Sequence, residues 1–264
     1  MSLMSQLAAA TGAEGVSGTT QFEMTADAAV WAQLKRSFEN YEAASRIVGR
    51  LVGADASVLE WHQDLAAHHV GMARLTVTAG HPGAAREHVD AARAIVNELV
   101  AEEHDDVFTN LHVLETWQAS GRLNLLSGDP IAARREFEEA LARAERLIEA
   151  TTERNTWLEY VAESYDGIGD SAYYQNDFEK AAESYSKALA IRDSLAIKVP
   201  DNVMWRLQQA VSAYKLALLE AHVGGESSTR ARNQALVLFN RLDSDGHLPA
   251  PVRFTLDQIE SYRP

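Results

Sequence analysis

The chain has 264 residues, 46% of them hydrophobic, enough to bury a substantial core as one large domain or two small ones. Lys plus Arg total 24 against 38 Asp plus Glu, and the resulting net charge of −14 makes phosphate backbones and anionic membranes poor default partners. There is no cysteine, which excludes disulfides, Fe–S clusters, zinc ribbons and thiol catalysis, and with only 6 Pro and 15 Gly the composition favours long helices over a β-sandwich.

Residues 1–20 read as a flexible tail. The stretch from Met1 to Ala8 has neither a positive n-region nor an apolar h-region, so no signal peptide is read, and Met4 is the expected start behind a short leader of residues 1–3. No apolar run approaches the roughly 20 residues that cross a bilayer. A reducing cytoplasm fits this composition. Thr25-Ala-Asp-Ala opens a predicted helix with a plausible N-cap, running to about Leu51.

From there the chain repeats at an interval of 48 residues. Trp157 and Trp205 stand 48 apart, and Trp61 lies two intervals before Trp157. Gly80 falls on Gly128, Asn176 and Gly224; Ala85 on Ala133 and Ala181; Ala92 on Ala140 and Ala188; Ala73 on Gly121, Gly169 and Ala217. The units are 61–108, 109–156 and 157–204, followed by a degenerate repeat over 205–242. Residues 25–52 read as a leading half-repeat, because Tyr41, Ala44 and Ile47 fall on second-helix core positions. Each unit is predicted as two helices, in the third unit about Glu153–Gln175 and Phe178–Ile197. Asn176 suits the left-handed C-cap of the first helix and Asp177 the N-cap of the second. Ser127-Gly128-Asp129-Pro130 makes the same turn with Pro at the first helical position. The small residues at 73, 121 and 169 allow close helix approach. The three periodic tryptophans read as structural joints. Pro251 opens a final short helix carrying Val252, Leu256 and Ile259, a cap over 249–262 for an array spanning 25–262 as one domain.

In the third unit Ala162, Tyr165, Ile168-Gly169, Tyr173, Asp177-Phe178, Ala181, Tyr185 and Ala188-Leu189 resemble a tetratricopeptide (TPR) repeat. The second unit matches at Trp117, Gly121, Gly128-Asp129, Ala133, Phe137 and Ala140-Leu141, and the first more weakly at Met72, Ala73, Gly80, Ala85 and Ala92. The resemblance covers about residues 61–242. The interval exceeds the usual length of about 34 residues. In that it resembles long-helix variants of the kinesin-light-chain type. It implies an all-α, right-handed superhelical solenoid of antiparallel helix pairs, about ten helices in all, acting as a non-catalytic scaffold.

Sequence motifs for other chemistry are weak. The 9 histidines include His62, His68 and His69 on one predicted helix, with His81 and His88 on the next, but no His-Glu-x-x-His spacing, so no metal site is expected. Arg241-Leu-Asp243-Ser-Asp245-Gly246 resembles part of a calcium loop, but that frame puts Arg241 and Val252 where acidic ligands are needed, so it reads as a turn. No phosphate loop, no Gly-x-Ser-x-Gly and no pairing of nucleophile with base is present, and neither enzyme activity nor a cofactor is expected.

The resemblance places the first helix of each pair on the concave side. The expected groove residues are Arg74 and Val77 in the first unit, Gln118, Arg122 and Leu126 in the second, Asp166, Asp170, Tyr173 and Tyr174 in the third, and Tyr214 in the fourth. Arg74, Arg122 and Asp170 are equivalent, so the groove would pass from cationic to anionic over an aromatic floor. Such a surface suits a peptide or an amphipathic helix of a protein partner. At the positions where chaperone-binding TPR domains hold a C-terminal carboxylate stand Val70, Arg74, Ala119, Glu163 and Gly167, so a chaperone tail is not expected. The alternatives are a regulatory domain that binds a small ligand or signalling peptide, and a self-associating assembly module.

Overall fold

The computed structural model describes residues 28–78, 81–102, 104, 106–151, 154–223 and 228–248. The expected tail over 1–20, the N-cap at Thr25, the turn residue Gly80 and the cap over 249–262 lie outside them. Among the described residues there are nine helices: α1 Ala28–Ala54, α2 Leu59–Thr78, α3 Pro82–Ala101, α4 Val107–Leu126, α5 Pro130–Ala150, α6 Arg154–Tyr174, α7 Phe178–Lys198, α8 Val203–His222 and α9 Ser228–Ser244. The described residues are all-α, a helical-repeat architecture of paired helices. The expected bounds of the third pair agree with α6 and α7 to within a residue at each end. Backbone contacts divide the chain into two compact units, Met1–Glu136 and Phe137–Pro264, with the division inside α5.

The pairs are made by turns whose residues have local reasons. Asn176 sits at φ 60° and Gly128 at φ 78°, the left-handed conformation that ends a helix. After each, an amide reaches back to the helix: Asp177 N donates to Ala172 O at 2.9 Å, and Asp129 N to Asn124 O at 2.9 Å. The same aspartates cap the next helix, accepting from Lys180 N at 3.1 Å and from Ala132 N at 2.9 Å. The segment around Gly246, at φ 71°, is likewise a helix-ending turn, with His247 N donating to Leu242 O at 2.8 Å. Side-chain caps open two first helices: Asp106 accepts from the amides of Phe108 and Thr109, and Asn202 from that of Trp205.

In the first unit α1 packs on α2, α2 pairs with α3, and α4 lies against both α2 and α3. Val70, Ala73, Ala85, Val89, Ala92, Ala119 and Leu123 form one buried cluster, and Ala66, Val96 and Val113 a second, with Ile95 and Trp117 packed against it. In the second unit α6 pairs with α7, and α8 packs on both α7 and α9. Its cluster is Ala172, Ala181, Tyr185 and Leu219, flanked by Tyr173, Phe178, Ala182 and Leu216. Small residues set these distances. A Cβ on Gly169 would lie 2.5 Å from Cε1 of Tyr185, and one on Gly71 would lie 2.7 Å from the ring of Tyr41. Of the three periodic tryptophans Trp157 is buried, its Nε1 donating to Thr151 Oγ1 at 2.9 Å, while Trp61 and Trp205 are half-buried.

Candidate functional site

The expected groove residues separate into two rows of the 48-residue register. Gln118, Asp166 and Tyr214 are equivalent, and all three are buried, at 1%, 7% and 4% exposure, as is their first-unit counterpart Val70. These positions are therefore removed from the groove. First helices pack against neighbours on more than one side, α2 against α1, α3 and α4, and α8 against α7 and α9. This row falls on a packed side. Tyr214 stacks edge-on against the buried ring of Phe239, and burial pushes its hydroxyl pKa up to about 12. The second row is less buried: Arg74 is exposed, and Arg122, Asp170 and Leu218 are half-buried. At the ends of the first helices Val77, Leu126, Tyr173 and Tyr174 are also half-buried, Val77 leaning on the first core cluster.

Around Tyr173 the second compact unit, Phe137–Pro264, carries an aromatic group. Its ring lies 5.8 Å from Phe178, 5.6 Å from the exposed His222 and 6.0 Å from Tyr174, and Phe178 lies 5.0 Å from His222. These tilted and edge-on contacts hold the rings at one end of α6 and α8. Together with Tyr174 they form the aromatic part of the expected surface.

The anionic part is altered by an ion network absent from the sequence reading. Glu159, Glu163, Asp166 and Asp170 share one face of α6. Arg192 from α7 and Lys215 from α8 enter that face. Arg192 is buried and bonds Asp166 and Ser212 through Nη1, while its Nε and Nη2 reach Glu159 Oε1 at 3.4 and 3.3 Å. Lys215 Nζ donates to both carboxylate oxygens of Asp170 at 2.9 and 2.8 Å, and Tyr185 OH donates to Asp170 Oδ1 at 2.7 Å. Asp170 is thus neutralised within the fold and offers no free anionic end to a groove. Burial pushes Glu159 up to about 7, reinforced by Glu163 and Asp166 and opposed by Arg192. Burial also works against the charge of Lys215, but Asp170 and Asp166 outweigh it and hold the ammonium above its ordinary range.

The register contains a signal for this network. Arg192 stands where Val96 and Ala144 form core, and Asp166 where Val70 does. Lys215 occupies the position of Gly71 and Gly167. Where Gly167 lets its helix meet the ring of Phe137, Lys215 lies with Nζ 5.5 Å from the centroid of Tyr185.

In the first unit His68, His69 and His88 lie near one another. His69 and His88 face each other with Nδ1 atoms 3.4 Å apart, Phe38 of α1 lies 6.2 Å from His88, and Tyr41 lies 6.0 Å from His68. Burial holds His69 and His88 below the ordinary histidine value, reinforced at His69 by His88 and His68 and opposed at His88 by Glu87 and Glu42. Among the described residues no group of three or more His, Asp or Glu is arranged to hold a metal ion. None of the described helices is long and apolar enough to cross a membrane.

No protein-family model matches the chain, and no curated protein matches it. The crystal structure of BtubC (BKLC) from P. vanneervenii is similar in fold, with a TM-score of 0.54. It shares 18% sequence identity over 83% of this chain and 94% of that one. At that identity the likeness bears on the fold alone, and it agrees with an all-α helical repeat.

Proposed function

We propose that the chain is a TPR-type scaffold, non-catalytic and cytoplasmic, that receives a peptide or helical segment of a partner protein on the outward row of its first helices. The observation that carries this reading is the split between the two rows. One row is sealed into the packing in all four repeats, while its neighbour one turn on holds the exposed Arg74 and the half-buried Arg122. In the first unit α2 and α4 lie side by side, so Arg74, Val77, Arg122 and Leu126 share a two-helix surface. Cations interspersed with aliphatic side chains suit a segment with apolar anchors and acidic flanks. In the second unit Tyr173, Tyr174 and His222 supply flat rings with little conformational entropy to lose. Net charge −14 disfavours nucleic acid as the partner.

The test is affinity capture from the source lysate with the intact protein and with an Arg74→Glu, Arg122→Glu, Tyr174→Ala variant of unchanged circular dichroism. A protein held by the intact chain and lost by the variant supports the reading. Equal capture by both moves the interface off the first helices, and capture by neither removes the scaffold reading in favour of a small ligand or self-association.

A further inference from the structure

In the first compact unit, Met1–Glu136, the pairing of α2 with α3 brings two histidines edge to edge. His69 and His88 are both half-buried, and their Nδ1 atoms lie 3.4 Å apart while their ring centroids lie 5.6 Å apart. The Nδ1 edges of the rings are therefore turned toward each other. That separation is beyond the roughly 2.7–3.2 Å of an ordinary N–H hydrogen bond. It matches the bite of a metal chelate: two imidazole nitrogens at about 2.0–2.1 Å from a tetrahedral Zn²⁺ stand about 3.3–3.4 Å from each other.

The backbones that carry the pair are held by core packing. His69 precedes Val70 and His88 precedes Val89, and both valines belong to the buried cluster that also holds Ala73, Ala85 and Ala92. A chelate set on packed helices needs little ordering when the ion arrives. Burial holds both imidazoles below the ordinary histidine value, which keeps the ligating lone pairs free of protons over more of the neutral range. Glu87 and Glu42 act on His88 with negative charge, which favours a cation at the pair. His68 does not complete the set, since its ring lies against Tyr41 at 6.0 Å, and among the described residues no third His, Asp or Glu is in place. The remaining positions of the ion fall to water, as in other open sites. The pair escapes the sequence motifs because its two ligands stand 19 residues apart on separate helices, not one turn apart on one helix.

We propose that His69 and His88 form a two-histidine chelate for a divalent late first-row metal ion, with Zn²⁺ fitting the bite and water completing its coordination. Imidazole nitrogen selects this class over Mg²⁺ and Ca²⁺, which take oxygen ligands. The site uses none of the row at Arg74 and does not rest on the function proposed for that row.

The test uses the full chain, free of any added histidine tag, with zinc chloride as the probe and magnesium chloride as the control. Isothermal titration gives stoichiometry and affinity, and nitrogen NMR spectra of labelled histidine side chains give the place. The expected result is one Zn²⁺ per chain, displacement of the Nδ1 resonances of His69 and His88, and no response to Mg²⁺. Loss of an outer-shell partner of a metal ligand already costs roughly 10–100-fold in affinity, so His69→Gln and His88→Gln should each weaken Zn²⁺ at least about tenfold. His81→Gln, at the exposed N-cap position of α3 where the side chain makes no cap bond, is expected to leave the affinity unchanged. Unchanged circular dichroism checks the variants, and the spectra of the parent decide the place without them. Zn²⁺ that leaves both Nδ1 resonances unmoved assigns the pair to a hydrogen bond and overturns the proposal. Equal weakening by His81→Gln, or binding that survives both substitutions, overturns it as adventitious chelation by surface imidazoles. One ion per two chains overturns it in favour of a site between copies.

Discussion

Gly169→Ala is expected to destabilise the protein by about 2 kcal/mol, although in most helices that substitution is favourable. Alanine in a helix interior is worth roughly 0.5–1 kcal/mol over glycine. Here the new Cβ would lie 2.5 and 2.6 Å from Cε1 and Cδ1 of Tyr185, about 1 Å inside the optimal carbon–carbon separation. The ring has no free direction. It is 5% exposed, its hydroxyl is bonded to Asp170 at 2.7 Å, and Lys215 lies over its face. Overpacking a core costs roughly 1–3 kcal/mol, and displacing a hydrogen bond to a charged group adds roughly 1.5 kcal/mol or more. Less the propensity gain, the net of about 2 kcal/mol lowers Tm by roughly 4–8 °C in a chain of this size. The assay is thermal and urea denaturation followed by circular dichroism, with three controls. Gly49→Ala and Gly53→Ala, with nothing within 4 Å of the added Cβ, are expected to stabilise by about 0.5 kcal/mol. Gly71→Ala meets the ring of Tyr41, which is 37% exposed and free to swing outward, so its cost should stay below about 1 kcal/mol. In a Tyr185→Leu background the Gly169→Ala cost should shrink by at least about 1 kcal/mol. A Gly169→Ala protein as stable as the parent, or equal costs in both backgrounds, would refute the close-approach reasoning.

Arg192→Val alone should cost about 3–5 kcal/mol, because it leaves Asp166 buried without its cation. The triple variant Glu159→Leu, Asp166→Val, Arg192→Val, which installs the residues found at the equivalent positions Leu111, Val70 and Val96, should recover most of that loss in urea denaturation. Glu159 titrates near 7 when folded and near its ordinary 4.5 when unfolded. Its contribution to stability is complete below pH 4.5 and lost as pH rises through 7. Glu159→Gln should therefore gain on the parent by on the order of 3 kcal/mol between pH 4.5 and 8, read from paired denaturation curves. His69 and His88 have the opposite sign: their folded values lie below the ordinary value of about 6.5, so their contribution is present above that pH and lost below it. The Tm of the parent should fall from pH 6.5 to 5 more steeply than that of a His69→Gln, His88→Gln variant.

Much of the fold was legible because the repeat is written in residues with local mechanical roles. Asn176, Gly128, Asp129 and Asp177 end and start helices by themselves, so no tertiary knowledge was needed to place those turns. The equivalence of positions 74, 122 and 170 was legible as a period. The burial of Gln118, Asp166 and Tyr214 was not, because a polar or amphipathic residue on a helix gives no sign of which side meets a third helix. The ion network escaped for a related reason. Glu159, Glu163, Asp166 and Asp170 along one helix face look like a solvated acidic stripe, and their cations stand 26 and 45 residues further on. Only the register shows Arg192 in a place its counterparts fill with Val and Ala.

The central claim, that a partner lies on the outward row of the first helices, is tested most directly by site-specific photo-crosslinking in source lysate. Benzoylphenylalanine would replace Arg74, Arg122 or Tyr174 on first helices, and Glu87, Glu138 or Lys187 on second helices, one position at a time. One partner crosslinked from the first-helix positions and absent from the second-helix positions is the predicted result. The same partner crosslinked from Glu87, Glu138 or Lys187, with none from Arg74, Arg122 or Tyr174, would contradict the account.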